Sequence, residues 1–417
     1  MKKVARQVKS MLYYRCREGE IIKIMANTLG TIAMGIRAPI IRKGDDLIKI
    51  VVDSLVKAQK ENNLNFYDKD VVALTEAILA RAQGNYATTE QIAKDVSSKF
   101  STDNVVGLVF PILSRNRFAH VLKGIAMGVK KLVVQLSYPS DEVGNHLVDI
   151  ELLDNLAINP TIKSFTHAEF KKLFPQAKHV FTGIDYLEYY KGLSDNIEIV
   201  LSNDPSYILK YTTSVITADI HSYKRTQRIL KLAGAKKIFG LSDILNKSID
   251  GSGYHSEFGL LGSNMSTENS VKLFPRDAKE FCKNLQKALK AATGKNMECM
   301  VYGDGAFKDP IGGIWELADP VVSPGFTKGL EGQPNELKLK YIADNTIANL
   351  SGEEAALEMK KIIASKKKLN QTAEQALGTT PRRIADLIGS LADLTSGSGD
   401  KGTPIVLVQN YFKNFSE

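Results

Sequence analysis

Eight short apolar runs constrain this chain more than any other feature it carries. They are Val71–Leu74, Val105–Phe110, Leu132–Leu136, Ile197–Leu201, Val215–Thr217, Lys237–Phe239, Cys299–Tyr302 and Ile405–Val408. Unbroken apolarity over so few residues is what a strand covered on both faces requires. Helical patterns separate several of them. In "DDLIKIVVDSLVKAQKEN", Leu47, Ile50, Val51, Leu55 and Val56 share one face, with Asp45 and Asp46 at the N-terminus. "DAKEFCKNLQKALKAATG" opens on Asp277 as a cap and closes at Gly294. From Asn335 to about Leu394 the pattern is wholly helical, and "TPRRIADLIGSLADL" offers Thr380 as N-cap with Pro381 in the first turn. A flexible "TSGSGDKGT" follows, and the run "PIVLVQ" then returns the chain to the sheet. The class is therefore α/β, or mixed α+β, with substantial sheet.

At 417 residues the chain exceeds one simple core, so two or three domains, or one domain with large insertions, are expected. Its 43% hydrophobic and 24% charged residues are those of an ordinary globular protein. Cys16, Cys282 and Cys299 lack metal-ligand spacing and cannot all pair, which fits a reducing cytoplasm. Cys282 and Cys299 sit among apolar neighbours and read as packing residues. The basic start "MKKVARQVKSMLYYRCREGE" lacks the apolar core of a secretory signal, and the window Ile24–Ile36 is too short to span a membrane. The first 24 residues are expected to be peripheral, with Met25 as an alternative start.

The net charge of +9 favours anionic partners. The basic residues are spread out and lack the aromatic interleaving of single-strand binders, so nucleic acid is disfavoured against phosphorylated small molecules. Lys366, Lys367 and Lys368 read as a solvated helix end.

Several chemistries are absent. There is no G-x-x-x-x-G-K-[ST] loop, no G-x-G-x-x-G after a strand, no H-E-x-x-H and no G-x-S-x-G, and "GSGYHSEFG" at 251–259 reads as a turn. Four polar stretches interrupt the apolar pattern. Three are basic: "GIRAPII" with Arg37, "TEAILARAQGNY" with Glu76, Arg81, Gln83, Gly84 and Asn85, and "PILSRNRF" with Arg115 and Arg117. Arginine at strand exits suits bidentate holding of phosphate or carboxylate, so together they suggest a basic pocket at a sheet edge. The fourth, "VYGDGAFKDP", sets Asp304 at a strand exit between Gly303 and Gly305, followed by Lys308 and Asp309. Such an aspartate can meet a divalent cation, flanking glycines admit a phosphate, and Lys308 can reach it; a plain Asp-Gly turn is the other reading. Asp219 and His221 in "ADIHSYKRTQRIL" fit a hydrogen-bonded loop better than a ligand set.

"IRAPIIRKGDDLIKIVVDSLVKA", "DVVALTEAILARAQGNY" and "ENSVKLFPRDAKEFCKNLQKALKAATGKNMECMVYGDGAFKDP" resemble, in order, the coenzyme F(420)-0:L-glutamate ligase family. The matched blocks are 35–118 and 259–320, with 403–410 as a closing strand. The resemblance implies a dimeric, cytoplasmic γ-glutamyl ligase with a mixed α/β fold, using GTP (or ATP) and Mg²⁺ or Mn²⁺. It implies a substrate carboxylate phosphorylated by the nucleotide and then attacked by the amine of L-glutamate. Carried over by motif, Asp304 falls on a metal-binding aspartate and Gly305 on a threonine, which removes a hydroxyl. Asn264 in "LLGSNMS" falls near a second metal-binding aspartate, and Asp309 is a compensating candidate.

On this reading the expected division is an extension at 1–24, ligase core at 25–139 and 251–334, an inserted α/β lobe at 140–250, a helical segment at 335–400 and a returning strand at 401–417. Asp304, Asn264 and Asp309 are the metal candidates, with Asp304 and Lys308 catalytic. Arg37, Arg81, Gly84, Asn85 and Gly305 are expected at the nucleotide, and Arg115 and Arg117 at an anionic acceptor: a deazaflavin precursor, a folate or another carboxylated metabolite. A non-catalytic nucleotide- or metabolite-binding relative is the alternative, because Asn264 and Gly305 depart from the metal-binding pattern.

Overall fold

The computed structural model describes residues 13–15, 21–23, 29–101, 103–179, 182–304, 321–366, 374–376, 382–396 and 399–416. In chain order its strands begin with β1 (Tyr13–Arg15), β2 (Ile21–Lys23), β3 (Ile32–Ile36), β4 (Val71–Thr75) and β5 (Tyr86–Thr88). Next come β6 (Val106–Val109), β7 (Leu132–Leu136), β8 (Phe165–Thr166), β9 (Ile197–Leu201), β10 (Ser214–Thr217) and β11 (Lys237–Gly240). Last are β12 (Asn264–Thr267), β13 (Ser270–Lys272), β14 (Glu298–Asp304), β15 (Val321–Phe326) and β16 (Ile405–Gln409). The mixed α/β class is as expected, and each of the eight apolar runs is a strand to within a few residues.

Two sheets dominate. The first has the order β15-β14-β4-β16-β3, in which β4 and β14 run parallel and the other neighbours are antiparallel. Its three central strands are covered on both faces. Val72, Leu74, Cys299, Val301, Ile405 and Leu407 meet the helices Leu47–Asn62 and Ala278–Thr293 on one side. Val71, Ala73, Met300, Tyr302, Val406 and Val408 meet the helix Ile384–Ser396 on the other. That is why these strands read as continuous apolar runs. Cys282 and Cys299 are buried here, and loss of hydration pushes the Cys282 thiol up to about 12.

The second sheet has the order β11-β10-β6-β7-β9-β8, with β8 as an antiparallel edge and every other pair parallel. The helices Thr89–Phe100 and His120–Met127 cover one face and Tyr223–Leu232 the other. The expected boundary at 140 falls after β7, yet β6 and β7 pair with β10 and β9 and not with the first sheet. Apolarity signals a buried strand without saying which sheet it joins.

Several helix ends follow local chemistry. Asp46 accepts from Lys49 N at 3.0 Å, Thr88 and Gln91 form a reciprocal capping box, and Gly294 closes its helix at φ 71°. Asp277 stands at the expected cap position but at φ 53° and with no side-chain cap bond. Residues 335–366 form two helices, Leu339–Asn345 and Gly352–Ser365, packed through Ile342, Ile347, Met359 and Ile363. Thr380 and Pro381 lie outside the described residues. Among the described residues no helix is long and apolar enough to cross a membrane.

Candidate functional site

The parallel strands β4 and β14 end side by side, Thr75 paired with Tyr302. Beyond Thr75 the chain turns at once into the helix Glu76–Ala82, so Glu76 is held beneath the end of β14, only 3% exposed. A Cβ on Gly303 would stand 2.2 Å from Glu76 Cγ, so only glycine lets the strand pass this side chain. Lys272 Nζ donates to Glu76 Oε1 at 2.5 Å, with the two side chains 12% and 4% exposed. Lys272 is also the cross-strand partner of Asn264, which sets the two side chains on one face of the β12–β13 ribbon. Asn264 therefore neighbours Lys272 across the ribbon, Lys272 pairs with Glu76, and Glu76 packs against the Gly303 backbone at the end of β14.

Sequence reasoning named Asn264 and Asp304, noticed Glu76 without a role, and missed Lys272, which carries no motif. Asp304 closes β14, paired with Val321. Gly305, Lys308 and Asp309 lie outside the described residues. Among the described residues no three His, Cys, Asp or Glu side chains gather as a metal-binding group. Glu76 and Asn264 carry side-chain oxygen atoms, the donor type Mg²⁺ and Mn²⁺ take.

The expected basic pocket is divided. Arg37 and Arg81 are both exposed and line adjoining clefts that share Ala38, Pro39 and Thr403. Gly84, at φ 61°, turns beneath the Lys43 side chain. Asn85 is a correction to the expected phosphate contact. It is fully buried, and its amide donates to Phe274 O at 2.6 Å while accepting from Tyr254 N at 2.9 Å and from Arg276. Every polar atom of that side chain is engaged inside the protein, so it ties segments together and presents nothing to a ligand. Gln83 acts likewise, clamping the Arg276 backbone at 2.7 and 2.8 Å.

Arg115 and Arg117 lie at the other sheet. They open a π-turn, Arg115–Ala119, that leads into the helix His120–Met127, with Ser114 Oγ accepting from Arg117 N at 3.1 Å. Arg115 is exposed beside Tyr186, whereas Arg117 lines a cavity of about 280 Å³. The position of that cavity follows from strand order. β6 is the first parallel strand, β7 and β9 follow on one side of it, and β10 and β11 on the other. Their crossovers cover opposite faces, which leaves a crevice outside the carboxyl ends of β6 and β10. Ile112, Arg117 and Phe118 wall it after β6, Ala218, Ile220, His221 and Tyr223 after β10, and the turn at 257–264 closes it. Asn264 also reaches this wall, so the cavity and the Glu76–Lys272 pair adjoin through one residue.

Behind the His221 loop sit two carboxylates: half-buried Glu142, which no sequence pattern marks, and buried Asp219, which the sequence places in a hydrogen-bonded loop. Glu142 accepts from the backbone N–H groups of Ile220 and His221, the latter at 3.2 Å. Loss of hydration raises its carboxyl to about 7, and the nearby Asp219 and Asp141 push the same way. Asp219, 2% exposed, accepts from Thr226 Oγ1 at 2.7 Å and is raised to about 6, again chiefly by burial.

The family described as F420-0:Gamma-glutamyl ligase matches residues 35–410, nearly the whole chain and both sheets. No curated protein matches it.

Proposed function

The chain belongs to the F420-0:gamma-glutamyl ligase family, and on that premise we propose that it is a nucleotide- and divalent-metal-dependent ligase. It joins L-glutamate through an amide bond to a carboxylated cofactor or metabolite. The observation that supports this most is the contact between Gly303 and Glu76, which sets a buried, lysine-paired carboxylate beside the strand end that carries Asp304.

The substrate carboxylate attacks the terminal phosphorus of GTP or ATP, giving an acyl phosphate and the nucleoside diphosphate. The amine of L-glutamate then attacks the acyl carbon, and inorganic phosphate leaves with the bonding pair of the broken C–O bond. Arg37, Arg81 and Lys308 offset the charge of the transferring phosphoryl group. Asp304, with Asn264 and Asp309, would hold Mg²⁺ or Mn²⁺, which when bound neutralises phosphate charge. Lys272 holds Glu76 in place through their ion pair. A homodimer and a deazaflavin-type acceptor accompany the family reading.

Thermal unfolding with GTP, ATP or neither, each with and without Mg²⁺ or Mn²⁺, tests it. A ligand at a hundredfold its Kd that binds only the folded state stabilises by ~2.7 kcal/mol. The expected shift needs nucleotide and metal together, disappears in Asp304→Ala, and accompanies incorporation of labelled glutamate into an added acceptor. Unchanged turnover in Asp304→Ala overturns the site assignment. Absence of any shift favours the non-catalytic alternative.

A further inference from the structure

An edge strand exposes unpaired backbone groups and is a template for further pairing unless something blunts it. Three of the four edges of the two large sheets are blunted. β15 carries Pro324, β8 is two residues long, and β11 opens on Lys237. The exception is β3. It is five residues long, holds neither proline nor charge, and among the described residues pairs on one side only, with β16.

That strand is also symmetric in character. Ile32, Ala33, Met34, Gly35 and Ile36 read as isoleucine, small, methionine, small, isoleucine in either direction. Antiparallel pairing with an identical strand, centred on Met34, sets Ile32 opposite Ile36, Ala33 opposite Gly35 and Met34 opposite itself. Met34 is only half-buried against the core beneath the helix Leu47–Asn62, so a neighbouring strand would cover the rest of it. The flanks fit the same register. Leu29 is 63% exposed and Ile40 74% exposed, and the two-fold brings Leu29 of one copy beside Pro39 and Ile40 of the other.

Charge selects the partner. The cleft between β3 and the helix Leu47–Asn62 is lined by Arg37, Asp53, Lys57 and Glu61, two of each sign on a chain of net +9. A strongly acidic or strongly basic partner meets like charge there as often as unlike. A second copy turned about a two-fold axis presents the same balanced set in reverse order, so opposite charges can meet.

We propose that β3 pairs antiparallel with β3 of a second copy of this chain, about a two-fold axis at Met34, so that the two five-stranded sheets continue into one another. This is the surface on which the homodimer of the ligase reading forms.

Sedimentation equilibrium of the full chain, without nucleotide, metal or glutamate, tests it, and twice the chain mass is expected. Met34→Lys and Met34→Glu each set like charges against one another at the axis, and each should weaken self-association at least tenfold. An equimolar mixture of the two should restore the dimer, because position 34 faces only itself. Ile40→Glu, on an exposed side chain, should also weaken association at least tenfold. Far-ultraviolet circular dichroism verifies that each variant is folded, and Ile40→Glu decides alone if the Met34 variants are not. A monomeric mass overturns the proposal, whether β3 is bare or covered by another part of the chain. A dimer that resists these substitutions overturns it too, as does one that the two Met34 variants lose and their mixture does not restore. The mass is measured without substrates, so either result leaves the ligase chemistry to its own test.

Discussion

In the two large sheets the carboxyl ends of the parallel strands are finished in opposite ways. In the first, the parallel strands β4 and β14 run out into charge: Glu76 buried beneath Gly303, paired with Lys272, and Asp304 just beyond. In the second, β6 and β10 diverge around an apolar space, and the charged groups stand at its edge or behind its wall. Parallel strands bring their carboxyl ends to one side in both cases. What differs is the spacing that follows. β4 and β14 are adjacent, so their exits touch and polar side chains must satisfy one another. At β6 and β10 the crossovers part to opposite faces, and the gap is lined by whatever the loops supply.

The sharpest way to break this contrast is to remove one charge from the first sheet. Glu76→Ala leaves Lys272 in a largely buried site without its partner, and a loss of ~3–5 kcal/mol is expected in urea unfolding. Glu76→Leu combined with Lys272→Met should recover most of that loss.

The second sheet answers to pH. Glu142 and Asp219 both titrate higher in the folded chain than in the unfolded one, near 7 and 6 against ordinary values of 4.5 and 3.8. Between those limits the native state holds more protons, so stability falls as pH rises from about 4.5 to 7 and levels off above. Relative to Glu142→Gln, the wild type should lose up to ~3 kcal/mol more across that window in pH-resolved denaturation. An equal slope in the two proteins would remove Glu142 as the source.

Gly303→Ala forces Glu76 aside and should cost ~1–3 kcal/mol, with any glutamate-ligating activity falling more steeply than stability. The smallest effect is expected at Asp250→Asn. It breaks an ion pair with Lys94 whose side chains are 62% and 58% exposed, and less than ~1 kcal/mol should be lost.

Much of the secondary structure was legible because buried strands and amphipathic helices leave strong patterns. That Ile405–Val408 returns to a sheet was readable from apolarity, but its place between β4 and β3 was not. β5, β12 and β13 were not, since "YAT", "NMST" and "SVK" are short, partly polar and held by pairing with one another. The candidate site was half visible. Asp304 and Asn264 stood out through family resemblance and Arg117 through its strand-exit position. Lys272 is one lysine among many until β13 is laid beside the end of β4. Glu142 lies 78 residues from the Ile220 N–H it accepts from, a separation no local pattern spans. Asn85 misled for the same reason: a polar residue after a helix signals availability, but burial had already used its amide.

The sequence by itself determined the class of fold, the family and the positions where strands are buried, because hydrophobic periodicity and chain-local capping act over a few residues. Only the tertiary structure decided that β6 and β7 join the second sheet, that Glu76 meets Gly303 and Lys272, and that Arg117 and Arg37 face different spaces. Those outcomes depend on strand order and on which buried charges find partners. Both are set by contacts between residues far apart in the chain.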